Sequence, residues 1–243
     1  MYTENNKGFT IITNFGCDNH CKYCISKQHP ILQNKQTDIE CIDWNFLEQC
    51  ISESNAPTIN LSGGGDPFYN WNEHREFYFR IYDIATKYGK QMDVHTRILP
   101  EDIELIKLFR KIALSVEYYD EEAMKYLAEV YPRIKEIVKI RVIQVVDSKI
   151  TKVQCQTYIK KLKEIGIPQI TFRQMFGNKE AYKHFNELKN EIKEEGVLFL
   201  KDGEYHNYYF TTTNKLYPFF FGYSEEDRMK WMAYYENIEQ SCN

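Results

Sequence analysis

Short apolar runs rich in β-branched residues alternate along this chain with longer segments of helical period. Residues 9–13 predict a first strand. Residues 43–54 predict a helix, with Phe46, Leu47, Cys50 and Ile51 on one face. Pro57 precedes a strand over 58–61. A helix over 72–88 follows, with Phe77, Ile81, Ile84 and Ala85 at helical spacing and Gly89 as its stop. The pattern then repeats. Strands are expected at 91–95, 112–116, 138–146 and 169–172. The helices between them are expected from Pro100 to Arg110, from an Asp120 cap to about Val130, and from Ser148 or Thr151 to Gly166. A helix over 181–195 ends at Gly196. Six βα units in series predict an α/β fold of parallel strands wrapped by helices.

After Gly196 the period changes. Residues 197–200, 205–213 and 216–221 predict strands, with Asp202-Gly203 as a hairpin signal and Asn214-Lys215 as a second turn. Ser224 and Asp227 predict the start of a last helix, through Glu239. The expected division is therefore 1–195 as the βα body and 196–243 as an extension packed on it.

Composition narrows the chemistry. The chain has 243 residues and a net charge of −4, so it has no global basic footprint for nucleic acid. A basic run on 149–194, with Lys152, Lys160, Lys161 and Lys163, reads as a solvated face. No apolar run is long enough to span a membrane. Seven cysteines cannot all pair as disulfides, and a chain of this size does not need them, which points to a reducing, cytoplasmic setting. Aromatic residues crowd the last forty positions, from Tyr205, Tyr208, Tyr209 and Phe210 to Trp231, Tyr234 and Tyr235. A cap of large rings over the open side of the βα body is the simplest reading. An aromatic-lined substrate pocket is the sharper one.

The cysteines themselves are clustered. Cys17-Asp18-Asn19-His20-Cys21-Lys22-Tyr23-Cys24 places three thiols within eight residues, while Cys41, Cys50, Cys155 and Cys242 are scattered. Soft thiolates suit zinc or an iron–sulfur cluster. Structural zinc and four-iron clusters both ordinarily take four protein ligands. Zinc completed by His20, His29 or Cys41 is one alternative. A cubane held by three cysteines, with one iron open to a substrate or cofactor, is the other.

The spacing Cys17-x3-Cys21-x2-Cys24, with Tyr23 just before the last cysteine, resembles the signature of radical S-adenosylmethionine (SAM) enzymes. The second strand runs into Ser62-Gly63-Gly64-Gly65-Asp66-Pro67, and Gly64-Gly65-Asp66-Pro67 is similar to that family's glycine-rich motif for the SAM amino group. The resemblance implies a partial (β/α)6 TIM-type barrel with one [4Fe–4S] cluster on Cys17, Cys21 and Cys24. It implies cleavage of SAM to a 5′-deoxyadenosyl radical, hydrogen abstraction from a substrate, and a flavodoxin- or ferredoxin-type electron donor as partner. By the same resemblance Tyr23 packs beside the cluster, with nearby backbone contacting adenine. Thr96, Ser115, Glu117 and Arg141 are candidates for the ribose and carboxylate of SAM. His95 and Arg173 are candidates for substrate. Arg97 departs from the family's usual residue. Asp66 and Pro67 are expected to turn a carboxylate and carbonyls outward. A glycyl-radical activase or a nucleoside- or nucleic-acid-modifying enzyme fits the short chain and single cluster, although Ile25-Ser26-Lys27 departs from the activase pattern. A non-catalytic zinc module is the alternative of a different class.

Overall fold

The computed structural model describes residues 8–24, 39–175, 178–201, 207–211 and 214–217. The expected alternation is present: β1 (Gly8–Ile12), α1 (Trp44–Glu53), β2 (Thr58–Leu61), α2 (Arg75–Lys87), β3 (Gln91–Thr96), α3 (Ile103–Ile106), β4 (Lys111–Ser115), α4 (Glu121–Ile134), β5 (Lys139–Val146), α5 (Lys152–Ile165), β6 (Gln169–Gln174), α6 (Lys179–Glu191), β7 (Val197–Leu200), β8 (Asn207–Thr211) and β9 (Lys215–Tyr217). The helix starts follow local chemistry. Asp43, Asp120 and Asn178 cap α1, α4 and α6 through their side chains, and Thr151 forms a capping box with Gln154 at α5.

One sheet holds all nine strands in the order β7-β6-β5-β4-β3-β2-β1-β8-β9, parallel except for β8 with β9. This is a partial TIM-type barrel that does not close. Chain reach requires it to curve. Seven strand spacings separate β7 from β8, about 34 Å in a flat sheet, whereas the seven residue steps from Leu200 to Asn207 span at most about 25 Å. The main core lies between the sheet and its helices. Phe9, Ile11, Ile59, Leu61, Val94, Ile112, Val142 and Phe172 point into it, as pleat alternation requires.

Three expectations are corrected. The segment 100–110 is not one helix: α3 has a single turn. Asp102 caps it by accepting from Glu104 N and Leu105 N, and the Arg110 amide is already bonded to Met92 O as the chain enters the sheet. Conversely α4 runs past Val130 through Pro132, because Val130, Tyr131 and Ile134 are all buried and outweigh one lost amide donor. The Asp202-Gly203 signal does not join a hairpin. β7 extends one edge of the sheet beside β6, while β8 extends the other beside β1. The strands after Gly196 thus continue the parallel sheet, and only β8–β9 is antiparallel. Tyr208 and Phe210 are accordingly core residues, with Phe210 ringed by Phe9 and Phe46. Tyr209 is half-buried on β8 and Tyr217 ends β9, while the expected final helix and the other aromatics of the tail lie outside the described residues.

Candidate functional site

Every strand of a parallel sheet ends on the same side, and the loops leaving those ends meet there. The cysteine loop leaves β1 and the glycine loop leaves β2. The two are locked together backbone to backbone: Gly16 and Gly65 form a parallel bridge, and Asp66 N donates to Gly16 O at 2.8 Å. Glycine is required at this contact. A Cβ on Gly65, whose φ is +127°, would come within 2.3 Å of Gly16 O, and one on Gly64 within 1.7 Å of Asn14 Oδ1.

Asp66 then ties this pair of loops to β3. Its carboxylate accepts from Phe68 N (2.9 Å), Thr96 Oγ1 (2.5 Å) and Arg97 N (2.6 Å). Burial raises its pKa and these hydrogen bonds oppose the rise. The outward orientation expected for Asp66 and Pro67 is thus corrected. Asp66 is buried, Pro67 O accepts from the buried Tyr78 hydroxyl at 2.6 Å, and Thr96 is spent on Asp66 and Ile98. The three donors satisfy the carboxylate where burial removes water.

Arg97, the apparent departure, is the hub. Its guanidinium donates to Glu117 Oε1 (3.2 Å), Tyr23 Oη (3.3 Å) and Cys21 Sγ (3.5 Å), and reaches Asp120 at 3.5 Å. The Tyr23 hydroxyl donates to Glu117 in turn, and Glu117 Oε2 accepts from Gln144 Nε2 at 3.0 Å. Burial pushes the Glu117 carboxyl up to about 7, against the Gln144 hydrogen bond and with help from the charges of Asp147 and Asp120. The structure therefore gathers Cys21, Tyr23, Asp66, Thr96 and Glu117 around one arginine. A cation directly after a strand end was the only sequence signal for it. Ser115 is half-buried at the end of β4. His95, Arg141 and Arg173 are not in this group. They line the inner face of the sheet.

Cys17, Cys21 and Cys24 are free thiols, all half-buried. Cys17 Sγ accepts from Asn19 N (3.3 Å) and Asn19 Nδ2 (3.4 Å), and Cys21 Sγ from Arg97. Three cysteine sulfurs on one loop are the donor chemistry of an iron–sulfur cluster. Among the described residues no three His, Cys, Asp or Glu side chains stand as a ready metal group, so the chemistry of the donors fits a cluster while the thiols are not already gathered. Cys50 and Cys155 are buried bystanders, and burial raises the Cys155 thiol to about 12. Lys152, Lys160, Lys161 and Lys163 are ion-paired on the surface, as in Lys161–Glu121 and Lys163–Glu194. Among the described residues no helix is long and apolar enough to cross a membrane.

Streptococcus suis SuiB bound to its precursor peptide SuiA superposes with a TM-score of 0.62 at 11% identity, over 88% of this chain and 59% of SuiB. This chain has the SuiB fold. SuiB bound to S-adenosylmethionine matches with a TM-score of 0.61 at 12% identity, over 88% of this chain and 60% of SuiB. The chain thus spans about three-fifths of SuiB's length. No protein-family model matches the chain, and comparison with curated protein sequences finds no match.

Proposed function

We propose that this chain is a radical SAM enzyme. The observation that carries the reading is the docking of the cysteine loop onto the glycine loop through Gly16 and Gly65, at the strand ends of a sheet with the fold of SuiB. Cys17, Cys21 and Cys24 would hold a [4Fe–4S] cluster, and Gly64, Gly65 and the backbone they free would hold the amino end of SAM. When bound, the cluster supplies one electron for reductive cleavage of SAM. The chain's own residues do the positioning. Asp66 fixes the glycine loop to Thr96 and Arg97. Arg97 fixes Cys21 and Tyr23 against Glu117. Ser115, half-buried at the end of β4, is a polar group available to the ribose, while Glu117 just beyond it is held by Arg97, Tyr23 and Gln144. A flavodoxin- or ferredoxin-type donor would deliver the electron at the exposed cysteine loop, in a cytoplasmic setting.

Arg141, which the resemblance offers to the SAM carboxylate, is the register partner of Ala113, which in turn pairs with His95, and lies on the inner face of the sheet outside the Arg97 group. It is assigned differently below.

Anaerobic purification tests this reading. A brown protein with about four irons per chain, lost in Cys21→Ala, is the expected result. A colourless protein with stoichiometric zinc retained by the same three cysteines would establish the zinc module instead.

A further inference from the structure

Pleat alternation gives the sheet a second face. Ile140, Val142 and Phe172 point into the helix-side core. Residues of the opposite parity therefore point to the inner face: His95 on β3, Ala113 on β4, Arg141 on β5, and Thr171 and Arg173 on β6. His95, Ala113 and Arg141 are direct register partners, so only a methyl group stands between the imidazole and the guanidinium stem. Gln169 is the partner of Arg141 on β6, and Thr171 and Arg173 follow two and four residues later. By strand geometry the Thr171 Cα lies about 8 Å from that of Arg141 and about 7 Å from that of Arg173. Thr171 is bracketed by the two arginines.

Two further observations mark this bracket. Thr171 is fully buried, and among the described residues its hydroxyl has no hydrogen-bond partner. Buried hydroxyls without partners are rare and call for a ligand or water. Burial and the charges of Arg141, Arg173 and Lys111 hold His95 well below its ordinary pKa, so these cations share one electrostatic environment, with a neutral imidazole at its edge. Asp93, the carboxylate on this face of β3, is already held by Arg110 at 2.9 Å and Lys111 at 3.1 Å. Arg141 and Arg173 also interact within the chain. What distinguishes the place is their position around an orphan hydroxyl. Arg173 is exposed and Arg141 half-buried, so the bracket can be reached from the strand-end side.

We propose that the inner face at Arg141, Thr171 and Arg173 binds an oxoanion, a phosphate or carboxylate, carried by the substrate. The two guanidinium groups give charge-assisted hydrogen bonds and the Thr171 hydroxyl donates a third. That the oxoanion belongs to a substrate rests on the radical SAM reading; the binding site itself does not.

The test is calorimetric titration of inorganic phosphate, and in parallel of acetate, into the whole chain at constant ionic strength. Saturable binding is expected, and the tighter of the two anions names the class. Arg173→Gln should weaken it roughly tenfold or more and Thr171→Val several-fold, since hydrogen bonds to charged groups have about that effect. Thr171→Ser should retain binding. Lys160→Gln, on the exposed surface of α5, should leave it unchanged. Absence of saturable binding, or equal binding by wild type, Arg173→Gln and Thr171→Val, would overturn the proposal. So would competitive displacement of phosphate by SAM, which would return the arginines to the cofactor. Phosphate binding by a protein that leaves SAM intact would remove the radical SAM reading and keep the site.

Discussion

Replacing Glu117 by Gln should remove a pH dependence from the stability of this protein. Glu117 is buried, and its carboxyl is raised from an ordinary 4.5 to about 7, chiefly by burial. A carboxyl with a raised folded pKa binds its proton more tightly in the native state. Its contribution to stability is complete below about pH 4.5 and is lost as pH rises through about 7. The difference between 4.5 and about 7 corresponds to about 3.4 kcal/mol, of which about 2.5 kcal/mol falls between pH 5 and pH 8. Arg97, 3.2 Å from Oε1, favours the ionised form and makes this an upper bound. Gln keeps the size of the side chain and carries no titrating group. Urea unfolding of wild type and Glu117→Gln at equal iron content, from pH 5 to pH 8, reads the difference. The stability gap should move by about 2 kcal/mol in favour of the variant as pH rises. Parallel profiles across that range would refute the account of Glu117 as a carboxyl kept near neutrality by burial.

Arg97→Met keeps the packing of the stem and removes the hub. It should cost about 2–3 kcal/mol at pH 8 and less at pH 5, where Glu117 is protonated; urea midpoints at the two pH values check this. Asp66→Asn leaves one oxygen for three donors and sets an amide NH2 against one of them. It should lower the melting temperature by about 5–10 °C, followed by circular dichroism. Gly65→Ala should destabilise more than Gly64→Ala in the same assay. The added methyl at 65 meets the Gly16 backbone at a φ of +127°, whereas at 64 it meets a side-chain oxygen first and the φ is +68°.

Local pattern was sufficient for the βα body because each strand and helix carries its own period and caps. Residues 58–61 are a strand in sequence and in structure, and Asp120 caps α4 as its position implies. The edges of the sheet were not legible. Nothing within 197–211 records that β7 will pair with β6 and β8 with β1, since both pairings are set by curvature of the whole sheet. The site divides in the same way. The cysteine spacing and the glycine run were visible as motifs, but their direct contact through Gly16 and Gly65 is long-range. In the motif Asp66 looks ligand-facing, yet it faces inward because Thr96 and Arg97 at the end of β3 converge on it with Phe68 N of its own loop. Arg97 looked like a mismatch for the complementary reason. Its partners come from two other stretches of chain, Cys21 and Tyr23 from the loop after β1, and Glu117 and Asp120 from the loop after β4.

The most direct test of the central claim is product analysis after dithionite reduction of the iron-loaded protein with SAM. Wild type should show a reduced-cluster resonance signal that shifts when SAM is added, and should form 5′-deoxyadenosine and methionine. Cys21→Ala should do neither. A protein carrying about four irons whose signal is indifferent to SAM, and which yields no 5′-deoxyadenosine, would contradict the account.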